Sequence, residues 1–361
     1  MRRASFNGRA ASGLRHQRTD MTEPTSAPRK SSSRKFIYLA GAVVLVAGGW
    51  SVAWVAARSF VNSQIDATLQ SAAAMGFEIA CSERGLGGYP FRFELTCKDF
   101  ALRTPVGHFV SVAELRAVAL AYNPQHMIIE ADSPMASFAP GDGPIQEGTW
   151  DSLRASLRFN GTSLRQLDGV IAAPRFFASE NPDAGEVSLA GGELHLRPNP
   201  AQPDDLDLAV SFKGLKVTAE DQPGDGSFIG QISGGAPLLS GTVPQGLFAS
   251  TDGQPALIVS ALKLTTGSTS LNTTGQIRLE TNGTLSGELP LTAVEPDGIK
   301  AVLAPFFPSD SGFPEALQGA VISFGKATQV DGKAAVEAKV QLTNGSARIG
   351  ILPFAQIDPV Y

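Results

Sequence analysis

Residues 331–345 read DGKAAVEAKVQLTNG. Within them Val336, Ala338, Val340 and Leu342 alternate with Glu337, Lys339 and Gln341. A period of two sends successive side chains to opposite faces of an extended chain, so this is a half-buried strand. Asp331-Gly332 precedes it and Asn344-Gly345 follows it. Both are hairpin-turn dipeptides, because the two central positions of such turns need positive φ. A strand held between two tight turns has antiparallel neighbours.

Working outward, the same grammar recurs. Leu153, Ala155, Leu157 and Phe159 alternate with Arg154, Ser156 and Arg158, and Asn160-Gly161 follows. Leu206, Leu208, Val210 and Phe212 alternate with Asp207, Ala209 and Ser211. Ile277 and Leu279 lead to Asn282-Gly283, after which Leu285, Gly287 and Leu289 resume the alternation. The texture of strand and Gly turn repeats near 186–217, 267–290 and 321–352 without a fixed period. These readings predict a mainly β fold: an extended, curved antiparallel meander with one apolar and one polar face. Two short helices are expected within it, one over 297–306 with Asp297 as its cap and one turn over 315–318. Pro-rich stretches at 133–144 and 198–205 read as loops. One β domain over 77–361 is preferred to two.

Composition agrees. Of 361 residues, 43% are hydrophobic and only 17% charged, with 38 Gly and 24 Pro. The formal charge of −5 is unevenly spread: residues 1–35 hold nine of the 29 basic and two of the 34 acidic residues. The rest carries 20 basic against 32 acidic residues, a net of −12. An acidic body lacks the basic footprint that nucleic-acid binding requires.

Residues 36–57 read FIYLAGAVVLVAGGWSVAWVAA, 22 residues without a charge. At about 1.5 Å per residue a helix of this length covers the roughly 30 Å hydrocarbon core of a bilayer. Phe36 and Tyr38 at one end, and Trp50 and Trp54 toward the other, fit interfacial anchors. Arg29, Lys30, Arg34 and Lys35 precede the span and only Arg58 follows closely. The positive-inside rule then places the N-terminus in the cytoplasm and the bulk outside. Val55-Ala56-Ala57 resembles a cleavage site, yet the apolar run exceeds the ~7–15 residues of a signal peptide. The expected organisation is a disordered basic tail over 1–35, a transmembrane helix over 36–57, an amphipathic connecting helix over 58–76 and the exported β domain. In the connecting stretch Val61, Ile65, Leu69 and Ala72 recur at helical spacing, and Gly76 ends it. Met21 offers a second start, ahead of a short polar segment and the span.

The two cysteines, Cys81 and Cys97, follow the span on the exported side. An even count in an oxidising compartment reads as a disulfide. Phe77, Ile79 and Cys81 alternate with polar or small residues, as do Tyr89, Phe91, Phe93, Leu95 and Cys97, while 84–88 between them reads as a turn. Cys-x-x-Cys spacing, the mark of a redox pair, is absent.

Motifs that carry chemistry are missing. His16, His108, His126 and His195 are scattered, with no partner at ligand spacing, so no metal site is expected. No nucleophile elbow, phosphate loop or zinc-protease signature occurs. Ser323 and Lys326 form a bare Ser-x-x-Lys, read as strand residues. Asp204, Asp205 and Asp207 read as a loop and the wet face of a strand rather than a calcium site. Asn160, Asn272, Asn282 and Asn344 satisfy the glycosylation sequon. No cofactor and no enzymatic activity are expected.

The stretch from Cys81 to Cys97, CSERGLGGYPFRFELTC, together with Ala113-Glu-Leu-Arg-Ala117 and Ile349-Gly-Ile-Leu-Pro-Phe354, resembles the DUF2125 family, found largely in alphaproteobacteria. Gly88, Tyr89, Pro90, Phe91 and Arg92 are the most specific part. That family has no assigned activity; the resemblance implies a bacterial inner membrane and a periplasmic body. A weaker resemblance runs to AsmA-like and TamB-like envelope proteins, which implies an apolar groove engaged with membrane lipids. The expected function is therefore an inner-membrane-anchored periplasmic sheet that binds lipid, with membrane lipids and other envelope proteins as partners. The alternative is a structural or interaction module of the envelope without a ligand groove.

Overall fold

The computed structural model describes residues 33–140, 145–178, 186–217, 222–240, 256–307 and 310–359. The expected tail over 1–35 lies almost wholly outside them. Contacts divide the chain into Met1–Ser51 and Val52–Tyr361.

A single 42-residue helix, α1 (Ser33–Ala74), contains both the apolar stretch and the connecting segment. It is about 63 Å long, twice the thickness of a bilayer core. Its residues from Phe36 through Val46 are exposed apolar side chains, among them Phe36 at 70%, Tyr38 at 76% and Leu45 at 77%. By length and composition this helix can cross a membrane. Ser51 and Ser59 donate their hydroxyls to the carbonyls of Ala47 and Val55, one turn back, so neither is left unsatisfied in apolar surroundings. From Val52 onward one stripe is shielded: Trp54 is buried, and Val61, Ile65, Leu69 and Ala72 are half-buried. The helix ends in a Schellman motif. Phe77 N donates to Ala72 O, Gly76 N donates to Ala73 O, and Gly76 takes φ +86°.

Twenty strands follow among the described residues, all in one sheet. They are β1 (Glu78–Ala80), β2 (Glu83–Gly87), β3 (Arg92–Arg103), β4 (Phe109–Leu120), β5 (Asn123–Phe138), β6 (Gln146–Thr149), β7 (Ser152–Asn160), β8 (Ser163–Ala172), β9 (Arg175–Ala178) and β10 (Glu186–Ser188). The series continues with β11 (Gly191–Pro198), β12 (Leu206–Leu215), β13 (Gly224–Ile232), β14 (Leu257–Thr266), β15 (Thr269–Leu279), β16 (Leu285–Val294), β17 (Lys326–Val330), β18 (Lys333–Thr343), β19 (Ser346–Ile349) and β20 (Leu352–Gln356). Every pairing is antiparallel. The main order runs β3-β4-β5-β7-β8-β11-β12-β13-β14-β15-β16-β18. β1 and β2 share the outer edge of β3, and β17 and β19 share that of β18.

The stretch at 331–345 forms as read. Asp331-Gly332 and Asn344-Gly345 all take positive φ and close two-residue turns on either side of β18. At Asn160-Gly161 and Asn282-Gly283 only the glycine does: Asn160 precedes a turn centred on Gly161-Thr162, and Asn282 sits inside a turn that Gly283 N closes onto Glu280 O.

Four expectations fail. Residues 84–87 are strand β2 rather than a turn, because Arg84 to Gly87 pair with Cys97 to Glu94. The turn lies at 88–91, closed by Arg92 N donating to Gly88 O. β5 runs through Pro134 to Phe138, so the loop at 133–144 starts later. The C-terminal helix is not one turn but twelve residues, α3 (Phe313–Phe324), which places Ser323 in a helix and Lys326 in β17. α2 (Ile299–Leu303) is bracketed by 3-10 turns, with Gly298 at its N-cap and no side-chain cap bond from Asp297.

α2 and α3 lie over one face of β14 to β20. Leu264, Leu271, Ala293, Val340 and Ile349 of the sheet, with Ile299, Val302, Leu317 and Val321 of the helices, form the buried core. Ile299 and Val321 are fully buried.

Candidate functional site: the apolar face of the sheet

Register converts the alternation into rows that run across the strands. One row is Leu95, Ala117, Ile129, Ala155, Gly169, Leu194, Val210, Phe228 and Leu262, each opposite the next. Beside it lies Cys97, Leu115, Ala131, Leu153, Ile171, Gly192 and Phe212. On its other side lies Phe93, Ala119, Met127, Leu157, Leu167, Leu196 and Leu208. None of these side chains is charged, and none offers a hydrogen-bond donor or acceptor beyond the bridged sulfur.

Burial divides the face in two. Under α2 and α3 Leu264, Leu271, Ala293 and Val340 are buried, and Phe212 and Leu262 at the ends of two rows pack against them. On β4, β5, β7, β8, β11 and β12 all eighteen row residues are only partly buried. With strands about 4.8 Å apart, this section is roughly 25 Å wide, and three rows along the strands span about 14 Å. In a closed two-layer core such residues would lose nearly all their exposure. The short 3-10 turn Ala236–Ser240 reaches β8 and β11 from one side.

The β3 end of the face meets α1. Trp54, only 8% exposed, packs edge-on against Tyr89 at 5.4 Å and stacks on Phe93 at 6.1 Å, while the Arg58 guanidinium lies 5.9 Å above its ring. Trp54 therefore packs on protein, whereas Trp50 is 43% exposed. The indole N–H of Trp54 is buried with no partner among the described residues. Farther along α1, Asp66 accepts from Arg84 at 2.7 Å. Cys81 and Cys97 form a disulfide with Cα atoms 5.3 Å apart, tying the β1–β2 connection to β3. Gly88 takes φ +101°, and a Cβ there would meet Arg92 O at 2.5 Å, so the family-motif turn requires glycine. Arg92 pairs with Glu94 at 2.9 Å.

The opposite face carries the charges, mostly spent on one another. Glu130 bridges Arg116 and Arg154, each at 3.1 Å, across three strands. His195 Nδ1 lies 2.8 Å from Asp168 Oδ1, and Nε2 lies 3.6 Å from Glu193. The hydrogen bond to Asp168 raises the His195 pKa above its ordinary value, with Glu193 adding to it and partial burial opposing it. Asp207 accepts from Arg197 at 3.2 Å and Asn199 at 2.7 Å, and Asp205 accepts from Gly234 N at 2.8 Å. Asp168, His195, Arg197, Asn199 and Asp207 rim a shallow polar hollow of about 410 Å³. Glu83, Glu288 and Glu315 lie below the usual carboxylate range because Lys98, Lys339 and Lys300 donate to them. Among the described residues no three His, Cys, Asp or Glu side chains gather to hold a metal.

Sequence reading located the row residues of β7 and β12 but not those of β4, β5 or β8. In β4 a bulge between Val112 and Glu114 breaks the alternation, which resumes at Leu115. His195 and Asp168 are 27 residues apart and meet only through the β8–β11 pairing.

No curated protein and no solved structure matches the chain. The weaker likeness to AsmA-like and TamB-like proteins thus rests on sequence texture alone. The profile of the family described as uncharacterized protein conserved in bacteria (DUF2125) matches residues 54–358, from Trp54 to just past the last strand. The chain belongs to that family.

Proposed function

We propose that this protein is a lipid-binding sheet anchored in the bacterial inner membrane by α1, with its N-terminus cytoplasmic and its sheet periplasmic. One observation carries the reading: three uncharged rows, only partly buried across six strands, in a chain whose N-terminal helix can cross a membrane. A surface of that size without hydrogen-bonding groups recognises its occupant by apolar contact alone. Its width of roughly 25 Å exceeds the ~15 Å of half a bilayer core, so an acyl chain can lie along a row. The rows hold no nucleophile and no proton-transfer group, which favours binding over catalysis.

The test is lipid extraction and native mass spectrometry of residues 52–361, exported so that the disulfide forms and purified without detergent. Phospholipid should co-purify. Leu157→Glu with Leu194→Glu should abolish it while circular dichroism stays unchanged. Lipid-free wild-type protein with no lipid-transfer activity would favour the alternative, an envelope interaction module without a groove.

A further inference from the structure

Exposed aromatic residues gather at one corner of the sheet. Tyr89 is 56% exposed, Phe91 60% and Tyr122 74%. The first two occupy the β2–β3 turn and the third the β4–β5 turn. The two turns are joined, since Ala121 N donates to Phe91 O at 2.8 Å. The same corner holds Trp54, whose ring touches Tyr89. Trp54 is the last aromatic residue of the uncharged stretch 36–57, and Arg58, the first charge after it, stacks on its ring.

The aromatic character is local. Along the same edge of the sheet the next two turns are Gly161-Thr162 and 199–205; neither has an aromatic residue, and the second carries Asp204 and Asp205. At the other end of β3, twelve residues and roughly 40 Å away, the β3–β4 turn has none either, although Val106 there is 69% exposed. Amphipathic aromatic side chains favour the headgroup layer of a bilayer, where ring and polar tip are both accommodated. Their position beside the end of the span, with a cation over the indole, is where that layer would lie.

We propose that the β2–β3 and β4–β5 turns form a docking surface for the membrane that α1 spans, with Tyr89, Phe91 and Tyr122 seated in its headgroup layer. The surface holds the β3 end of the sheet against the bilayer. The proposal rests on α1 spanning the membrane and not on lipid occupying the apolar face.

The test uses the full chain in vesicles of phosphatidylethanolamine and phosphatidylglycerol, with photoreactive p-benzoylphenylalanine at position 91, 122 or 106. Several-fold more lipid adduct at 91 and 122 than at 106 is expected. The adducts should persist when Leu157→Glu and Leu194→Glu are added, because they arise from the bilayer. Equal yields at all three positions, adducts to protein instead of lipid, or loss of the adducts in the groove variant would each overturn it.

Discussion

Leu317→Ala and Leu194→Ala delete the same atoms from the two sections of the face. Leu317 lies on α3 inside the buried core, 7% exposed. Leu194 lies in the central row on β11, partly buried and outside that core. Truncation at Leu317 loses transfer energy and leaves a cavity, about 3–4 kcal/mol together. At Leu194 the gap opens to the groove, so only part of the transfer term is lost, about 1–1.5 kcal/mol. Propensity works against the contrast, since alanine suits a helix better than leucine and a strand worse. The difference that survives is about 2 kcal/mol. At a urea slope of about 3 kcal/mol/M it separates the two midpoints by roughly 0.7 M. Urea titration of delipidated residues 52–361 reads it directly. Equal losses in the two variants would mean that the face around Leu194 is a closed core, and the groove argument would be wrong.

Two further predictions follow from the same framework. The Cys81–Cys97 bridge closes a separation of 16 residues, so replacing both cysteines by alanine should cost about 3 kcal/mol in the chain-entropy account, read as a lowered urea midpoint; no change would show that the β1–β3 corner is held by other contacts. His195 has a raised folded pKa, so its stabilisation is fully present below its unfolded value near 6.5 and is lost as pH rises through the folded value. His195→Gln should therefore lower Tm at pH 5.5 and leave it nearly unchanged at pH 8.5, by less than about 1 kcal/mol because the pair is half exposed; a loss independent of pH would refute the pairing.

Local chemistry wrote much of the fold plainly. Around β18 the turn dipeptides and the alternation agree, so nothing competes with the strand. α3 was harder to read. Its buried Pro314, Leu317, Ala320 and Val321 have helical spacing, but Gly319 and the β-branched Val321 and Ile322 weaken its propensity, and packing on the sheet supplies the rest. The 84–88 stretch misled because three glycines suggest a turn. In β2, Gly85 and Gly87 instead point to the polar face, where a Cβ at Gly85 would meet Thr96 Oγ1 at 2.8 Å. The candidate site was visible strand by strand but not as a site. Whether an apolar row is covered depends on where helices distant in sequence settle, and periodicity does not encode that. Trp54 shows the same limit: hydropathy assigns it to the span, while its contacts assign it to the sheet.

The pairing scheme also makes this sheet nearly one-dimensional. Each strand is bonded only to its immediate neighbours, and β3 and β18 are nowhere paired to each other. Stability in such an array is close to a sum of neighbouring interfaces. Groove length is then a count of hairpins, about 10 Å for every two strands, and can change without redesign of the rows. A relative with one hairpin inserted between β8 and β11 would carry the same surface, longer by that increment, on the same anchor.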